Sequence, residues 1–260
     1  MLYSNSEYSA FLNNEGTKMK FWKIGILTMC LVTNIVYLYF MWEISVLTVA
    51  LAFVIFYLSF VIQGAFHEVG HFVGGKISGH KLVVLQIGRG NLIGNRKGKL
   101  SFAFRKTRGG QCIMLPPDKV PVKYIAYNIG GVMLNALVVL GCATLLFINS
   151  HITTLVFIEV AFSGFFKIIT NLIPSIRNGA PTDGYVLKLL KKNSFVQRDY
   201  VKYLSLYSAL FWKEKICVEN YIYEREVANN ASEMLYYNGI QDLLGDLSED
   251  EIESPMQESE

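Results

Sequence analysis

The chain has 260 residues, of which 52% are hydrophobic and only 17% charged, with a formal net charge of +3. Ordinary globular domains carry roughly a quarter charged residues, so this composition argues against a soluble protein and excludes a disordered or collagen-like chain. The four cysteines (Cys30, Cys112, Cys142 and Cys217) are widely spaced, which suits neither a disulfide framework nor a thiolate zinc site.

The first element in chain order is an uncharged run over residues 24–42, preceded by Lys18, Lys20 and Lys23. A signal peptide has a shorter apolar stretch followed by a small-residue cleavage site, so an uncleaved anchor helix is expected. Only Glu43 separates this run from a second one over residues 44–66. A bilayer core of about 30 Å takes about 20 helical residues, so the two runs form a membrane hairpin turning near residues 41–43. Residues 124–150 are a third uncharged run, and residues 152–176 a fourth, interrupted by Glu159 and Lys167. The expected fold is an all-α polytopic membrane protein with four transmembrane helices, a small membrane-surface β-sheet and a C-terminal cytoplasmic helical segment.

Between residues 76 and 123 stand eleven Lys or Arg and one acidic residue, Asp118. Such an excess marks a cytoplasmic loop. It puts both termini inside and predicts a multi-pass protein of the cell membrane. A basic run of this kind also suits nucleic acid, but its place between two spans favours the topology signal, and no nucleic-acid partner is expected. Within the loop, residues 81–87, 100–104 and 111–114 are β-rich and separated by glycines, which predicts the small sheet. Residues 188–238 carry Val201, Leu204, Ser208 and Phe211 at helical spacing, predicting a helical hairpin. That hairpin is the best candidate for a regulatory partner. Residues 249–260 hold six acidic and no basic residues, the mark of a disordered tail. The expected divisions are residues 1–43 (N-terminal segment and anchor), 44–184 (core, with the β-rich loop 76–123), 185–247 (cytoplasmic helices) and 248–260 (acidic tail).

The end of the second span reads His67-Glu68-Val69-Gly70-His71-Phe72. In random order this composition yields H-E-x-x-H roughly 0.003 times per chain, so chance does not account for it. Residues four apart lie on one helix face, so His67 and His71 can grip one zinc ion. Glu68 stands beside them, where a carboxylate can take a proton from the attacking water. The competing reading is two histidines satisfied within a helix bundle, a costly arrangement for ionisable groups in an apolar span. With Lys76 at the interface, His71 and His67 lie about 7 and 13 Å inside the membrane. His80 and His151 fall in loops and are read as bystanders.

Further along stand Ile87-Gly88 and Gly109-Gly110, Gly130-Gly131-Val132-Met133-Leu134-Asn135, and Asn171-Leu172-Ile173-Pro174 followed by Asp183-Gly184. With His67 to Phe72, these resemble the motifs of the site-2 protease family of intramembrane zinc metalloproteases, over about half the chain. The resemblance implies a three-helix catalytic core, Zn2+ held by His67, His71 and Asp183, Glu68 as the base, and Asn171 and Asn135 positioning substrate. Two departures stand out: Gly131 occupies the family's usual proline position, and the interval from Asn171 to Asp183 is longer than usual. The residues themselves leave alternatives open. Asn128, Gly131 and Asn135 share a helix face that suits close packing as well as substrate contact. Asp183 suits a helix N-cap as well as a ligand, and Lys167 either snorkels or lines the path to the site.

The expected activity is zinc-dependent endopeptidase cleavage of a transmembrane or signal-peptide-like substrate near the cytoplasmic leaflet, in peptide maturation or regulated proteolysis. An extended substrate adds a strand to the small sheet. The alternative is a non-catalytic binding or immunity protein that retains the scaffold, for which an intact Glu68 has no use.

Overall fold

The computed structural model describes residues 46–95, 97–117, 123–145, 151–177, 180–192, 194–221 and 235–248, with isolated helical positions at Ile24, Thr28, Leu31 and Ile35. The anchor helix expected over residues 24–42, its turn and the acidic tail lie outside the described residues, those four positions apart. The chain divides into two compact units, described separately below.

The first unit is helical. Helix α1, Val46–Ile77, has 32 residues, which at 1.5 Å per residue is about 48 Å, more than a bilayer core requires. Helices α2, Tyr124–Leu145, and α3, His151–Leu172, have 22 residues each. Three segments (Val49–Ile77, Tyr124–Leu145 and Thr154–Leu172) are long and apolar enough to cross a membrane, the pattern of a multi-pass membrane protein. Their outer surfaces agree: Leu47, Val54, Leu58, Ile62, Leu137 and Phe165 are exposed, as side chains facing lipid are. Small residues let α1 and α2 touch through their backbones. A Cβ added at Gly70 would collide with the Gly130 carbonyl, and one at Gly74 with that of Ala126, so these positions exclude larger residues.

Pro174 follows α3 and cannot continue it. The interval between Pro174 and Asp183 holds a tiny antiparallel ladder, β3 (Ile176–Arg177) with β4 (Ala180–Pro181). It is closed by Thr182 N–H donating to the Ser175 carbonyl at 2.9 Å. The two short strands run antiparallel, and the chain re-enters a helix, α4, at Asp183–Lys192.

The second unit contains one antiparallel hairpin and helices. Strands β1, Lys81–Gly94, and β2, Leu100–Leu115, pair from Lys81↔Leu115 to Gly94↔Leu100. Three β-rich runs were expected, but the second and third are one continuous strand. Gly109 and Gly110, which lie between those two runs, pair with Gly88 and Ile87 within the ladder, and the register shifts between Gly88 and Gly90 on β1, with Gly88 at φ +61, a conformation open to glycine and costly for other residues. Helix α5, Ser194–Phe211, carries the expected stripe, with Leu204 and Ser208 buried. Helix α6, Leu235–Gly245, packs against it around a core of Leu206, Ile216 and Ile240. Trp212 Nε1 donates to the Gly94 carbonyl at 2.7 Å, tying the end of α5 to the tip of the hairpin.

Candidate metal centre

His67 and His71 sit one turn apart on the buried face of α1. Their Nε2 atoms are 3.1 Å apart, with the rings nearly perpendicular at 88°. Asp183, the first residue of α4, brings one carboxylate oxygen to 3.1 Å from His67 Nε2 and the other to 3.3 Å from His71 Nε2. Three ligand atoms, one from each residue, lie within 4.8 Å of one another and could hold a metal ion. A tetrahedral ion with bonds of 2.0–2.1 Å has ligand–ligand edges of about 3.3 Å, which these separations match. The donor set, two imidazoles and a carboxylate, therefore suits a divalent transition metal with a fourth position left open.

The ligands are held by their surroundings. The other ring nitrogen of His71, Nδ1, donates to the Tyr127 carbonyl at 2.8 Å. That bond fixes the tautomer in which the Nε2 lone pair faces the site. The Nδ1 of His67 has no such partner among the described residues. Gly131 backs both rings: an added Cβ would lie 2.7 Å from His67 Cε1 and Nδ1 and 2.7 Å from His71 Nε2. Glycine at position 131 is thus what lets α2 approach the imidazoles, which gives the close-packing face read from the sequence a specific contact.

Thr182, not Asp183, makes the capping contact of α4, its Oγ1 accepting from Tyr185 N–H at 3.4 Å and from Ser175 N–H at 3.1 Å. The same hydroxyl donates to the Ile173 carbonyl at 2.9 Å. With the cap supplied one residue earlier, the Asp183 carboxylate is free to face the imidazoles. Gly184 packs against the Leu172 carbonyl so closely that a Cβ has no room, which seats the start of α4 on the end of α3.

The other expected site residues are distributed around this group. Glu68 is half-buried and feels the charges of His71, His67, Asp183 and Lys167. Asn135 is fully buried on the α2 face that carries Gly131. Asn171 is half-buried, and its Nδ2 donates to the Lys167 carbonyl at 3.0 Å, a bond within its own helix rather than toward the metal group. Lys167 itself points back to α1, its Nζ 3.9 Å from the centre of the Phe60 ring and 3.4 Å from the point where a Cβ on Gly64 would stand. Glu159 is fully buried in α3 and is not one of the clustered ligands. His80 is buried in the segment after α1 and is likewise outside the cluster. In comparisons with protein-family models, curated proteins and solved structures, nothing matched the chain.

Proposed function

We propose that the protein is an intramembrane zinc endopeptidase that cleaves a transmembrane or signal-peptide-like segment near the cytoplasmic leaflet. One observation carries this reading: His67, His71 and Asp183 converge at the spacing of a tetrahedral ligand set inside a helix bundle, with a carboxylate, Glu68, next in sequence to the first ligand. His67, His71 and Asp183 would hold the ion. When bound, zinc supplies Lewis acidity, which makes water a nucleophile near neutral pH and polarises the scissile carbonyl.

The remaining steps belong to the chain. Glu68 accepts a proton from the attacking water and passes it to the departing amine. The Tyr127 carbonyl keeps His71 in one tautomer. Asn135 and Asn171 would orient the unwound substrate backbone, since peptide groups in lipid need hydrogen-bond partners. The basic loop argues for cytoplasmic N- and C-termini in the cell membrane, and α5 and α6 offer a surface for a regulatory partner. A binding protein that merely kept the scaffold would not need Glu68.

Glu68→Gln is expected to retain the metal while losing cleavage of membrane peptides by several orders of magnitude. The test is metal analysis and peptidase assay of the purified variant, together with a comparison of the membrane peptides that accumulate in cells carrying each form. Near-wild-type proteolysis by Glu68→Gln would overturn the mechanism.

A further inference from the structure

One helical turn before His67, on the same face of α1, stands Gln63. It is fully buried. Its Nε2 donates to the Val160 carbonyl of α3 at 3.1 Å, while its Oε1 has no hydrogen-bond partner among the described residues. Asn135 is also fully buried, and neither atom of its carboxamide has a partner among the described residues. Buried polar atoms are nearly always paired, so these unpaired carboxamide atoms beside a metal-ligand cluster point to a ligand that pairs them.

The helix packing puts the two at adjoining levels. Helices α1 and α2 run antiparallel, Gly74 against Ala126 and Gly70 against Gly130, with Gly131 against His67 and His71. Asn135, one turn beyond Gly131, therefore stands at the level between His67 and Gln63. Val139, one turn further, meets Gln63 at Gly164, where an added Cβ would lie 2.6 Å from Gln63 Nε2 and 2.6 Å from Val139 Cγ2. The carboxamides thus continue the line of the metal ligands toward the N-terminal end of α1.

We propose that Gln63, together with Asn135, forms a main-chain-binding subsite one turn from the metal centre, which takes the N–H and C=O groups of an extended peptide segment beside the scissile bond. The proposal rests on the peptidase reading above and extends it to a residue that no motif marks. The chemistry follows from the solvent. An unwound peptide in lipid has lost its helical hydrogen bonds, and a carboxamide offers both a donor and an acceptor in peptide-like geometry. One of the two Gln63 N–H donors goes to Val160, and its Oε1 is left to accept a substrate N–H. Asn135 has both functions available. Gln63 is a positioning residue in this scheme and touches no reacting atom.

The test uses full-length, metal-loaded protein in lipid nanodiscs. The probe is a synthetic apolar peptide of about 20 residues with lysine ends, long enough to span, and a set of analogues in which single backbone amides near the cleavage point are replaced by esters. Binding is measured on Glu68→Gln to suppress turnover, and cleavage on the wild type. One ester position, which removes a single N–H donor, is expected to weaken binding about tenfold. Gln63→Leu in the Glu68→Gln background should weaken binding of the all-amide peptide by a similar factor with its metal retained, and the two losses should not add. Full affinity for every ester analogue on the unchanged protein, or undiminished binding by Gln63→Leu, would overturn the subsite, while metal-dependent cleavage by the wild type would still uphold the peptidase reading. Conversely, Gln63-dependent binding without metal-dependent cleavage would support the subsite and sink the peptidase.

Discussion

The two units bury different chemistries. In the unit of α5, α6 and the hairpin, the buried residues are largely apolar, among them Val83, Met114, Leu190, Leu206, Ile216 and Ile240. In the three-helix unit, the most fully buried positions include Gln63, Asn135, Glu159 and Ser163, all at 0% exposure, while Leu47, Tyr57, Leu137 and Phe165 are more than half exposed. One unit follows the rule of proteins in water, where apolar surface is removed from solvent. The other buries polar groups alongside apolar ones such as Leu155 and Ile176, as a bundle in lipid can when polar groups seek the interior. The difference teaches that burial means different things in the two places. In the hairpin unit a buried side chain is mainly a stability element, whereas in the three-helix unit a buried polar side chain is a candidate for chemistry.

This contrast can be broken by substitution, and the largest effect belongs to the water-type core. Ile240→Ala removes a fully buried side chain from the Leu206–Ile216 cluster and is expected to destabilise that unit by about 2–5 kcal/mol, with the metal still bound. Thermal or denaturant unfolding read alongside metal content checks both halves. An intermediate effect is expected in the bundle. Gly131→Ala puts a methyl 2.7 Å from both imidazoles and should weaken metal affinity about 10–100-fold, the range for disturbed ligand orientation, which competition with a chelator would measure. The smallest effect is expected on the bundle's surface. Leu137 is 59% exposed, and because lipid is as apolar as the side chain it meets, Leu137→Ala should change stability in bilayers by no more than about 0.5 kcal/mol. A large loss there would mean that this face is covered by protein.

Much of the site was legible in the sequence because its signals are local or stereotyped. The His67–His71 spacing needs only helical geometry, and the three described spans announce themselves as apolar runs. Asp183 was nominated by the motif it resembles, but its role as ligand or cap could not be read from the chain. That depends on Thr182 taking the capping contact and on the β3–β4 ladder forming between Pro174 and Asp183, both tertiary outcomes. Gly131 was noticed as a departure, yet its contact with the imidazoles appears only when α2 is laid against α1. Gln63 was invisible because a lone glutamine in an apolar run has no pattern of its own. The hairpin was misdivided for a different reason. Gly109 and Gly110 look like turn signals, but inside the ladder they pair with Gly88 and Ile87 without ending the strand.

The central claim is that Asp183 completes the metal centre and that Glu159, fully buried in α3, does not. Metal analysis of purified wild type, Asp183→Ala and Glu159→Ala tests this most directly. The wild type and Glu159→Ala are expected to carry about one zinc per chain, as a single three-ligand site requires, whereas Asp183→Ala should lose most of its zinc and all of its cleavage. Full zinc content with normal cleavage in Asp183→Ala, or loss of zinc in Glu159→Ala, would contradict the account.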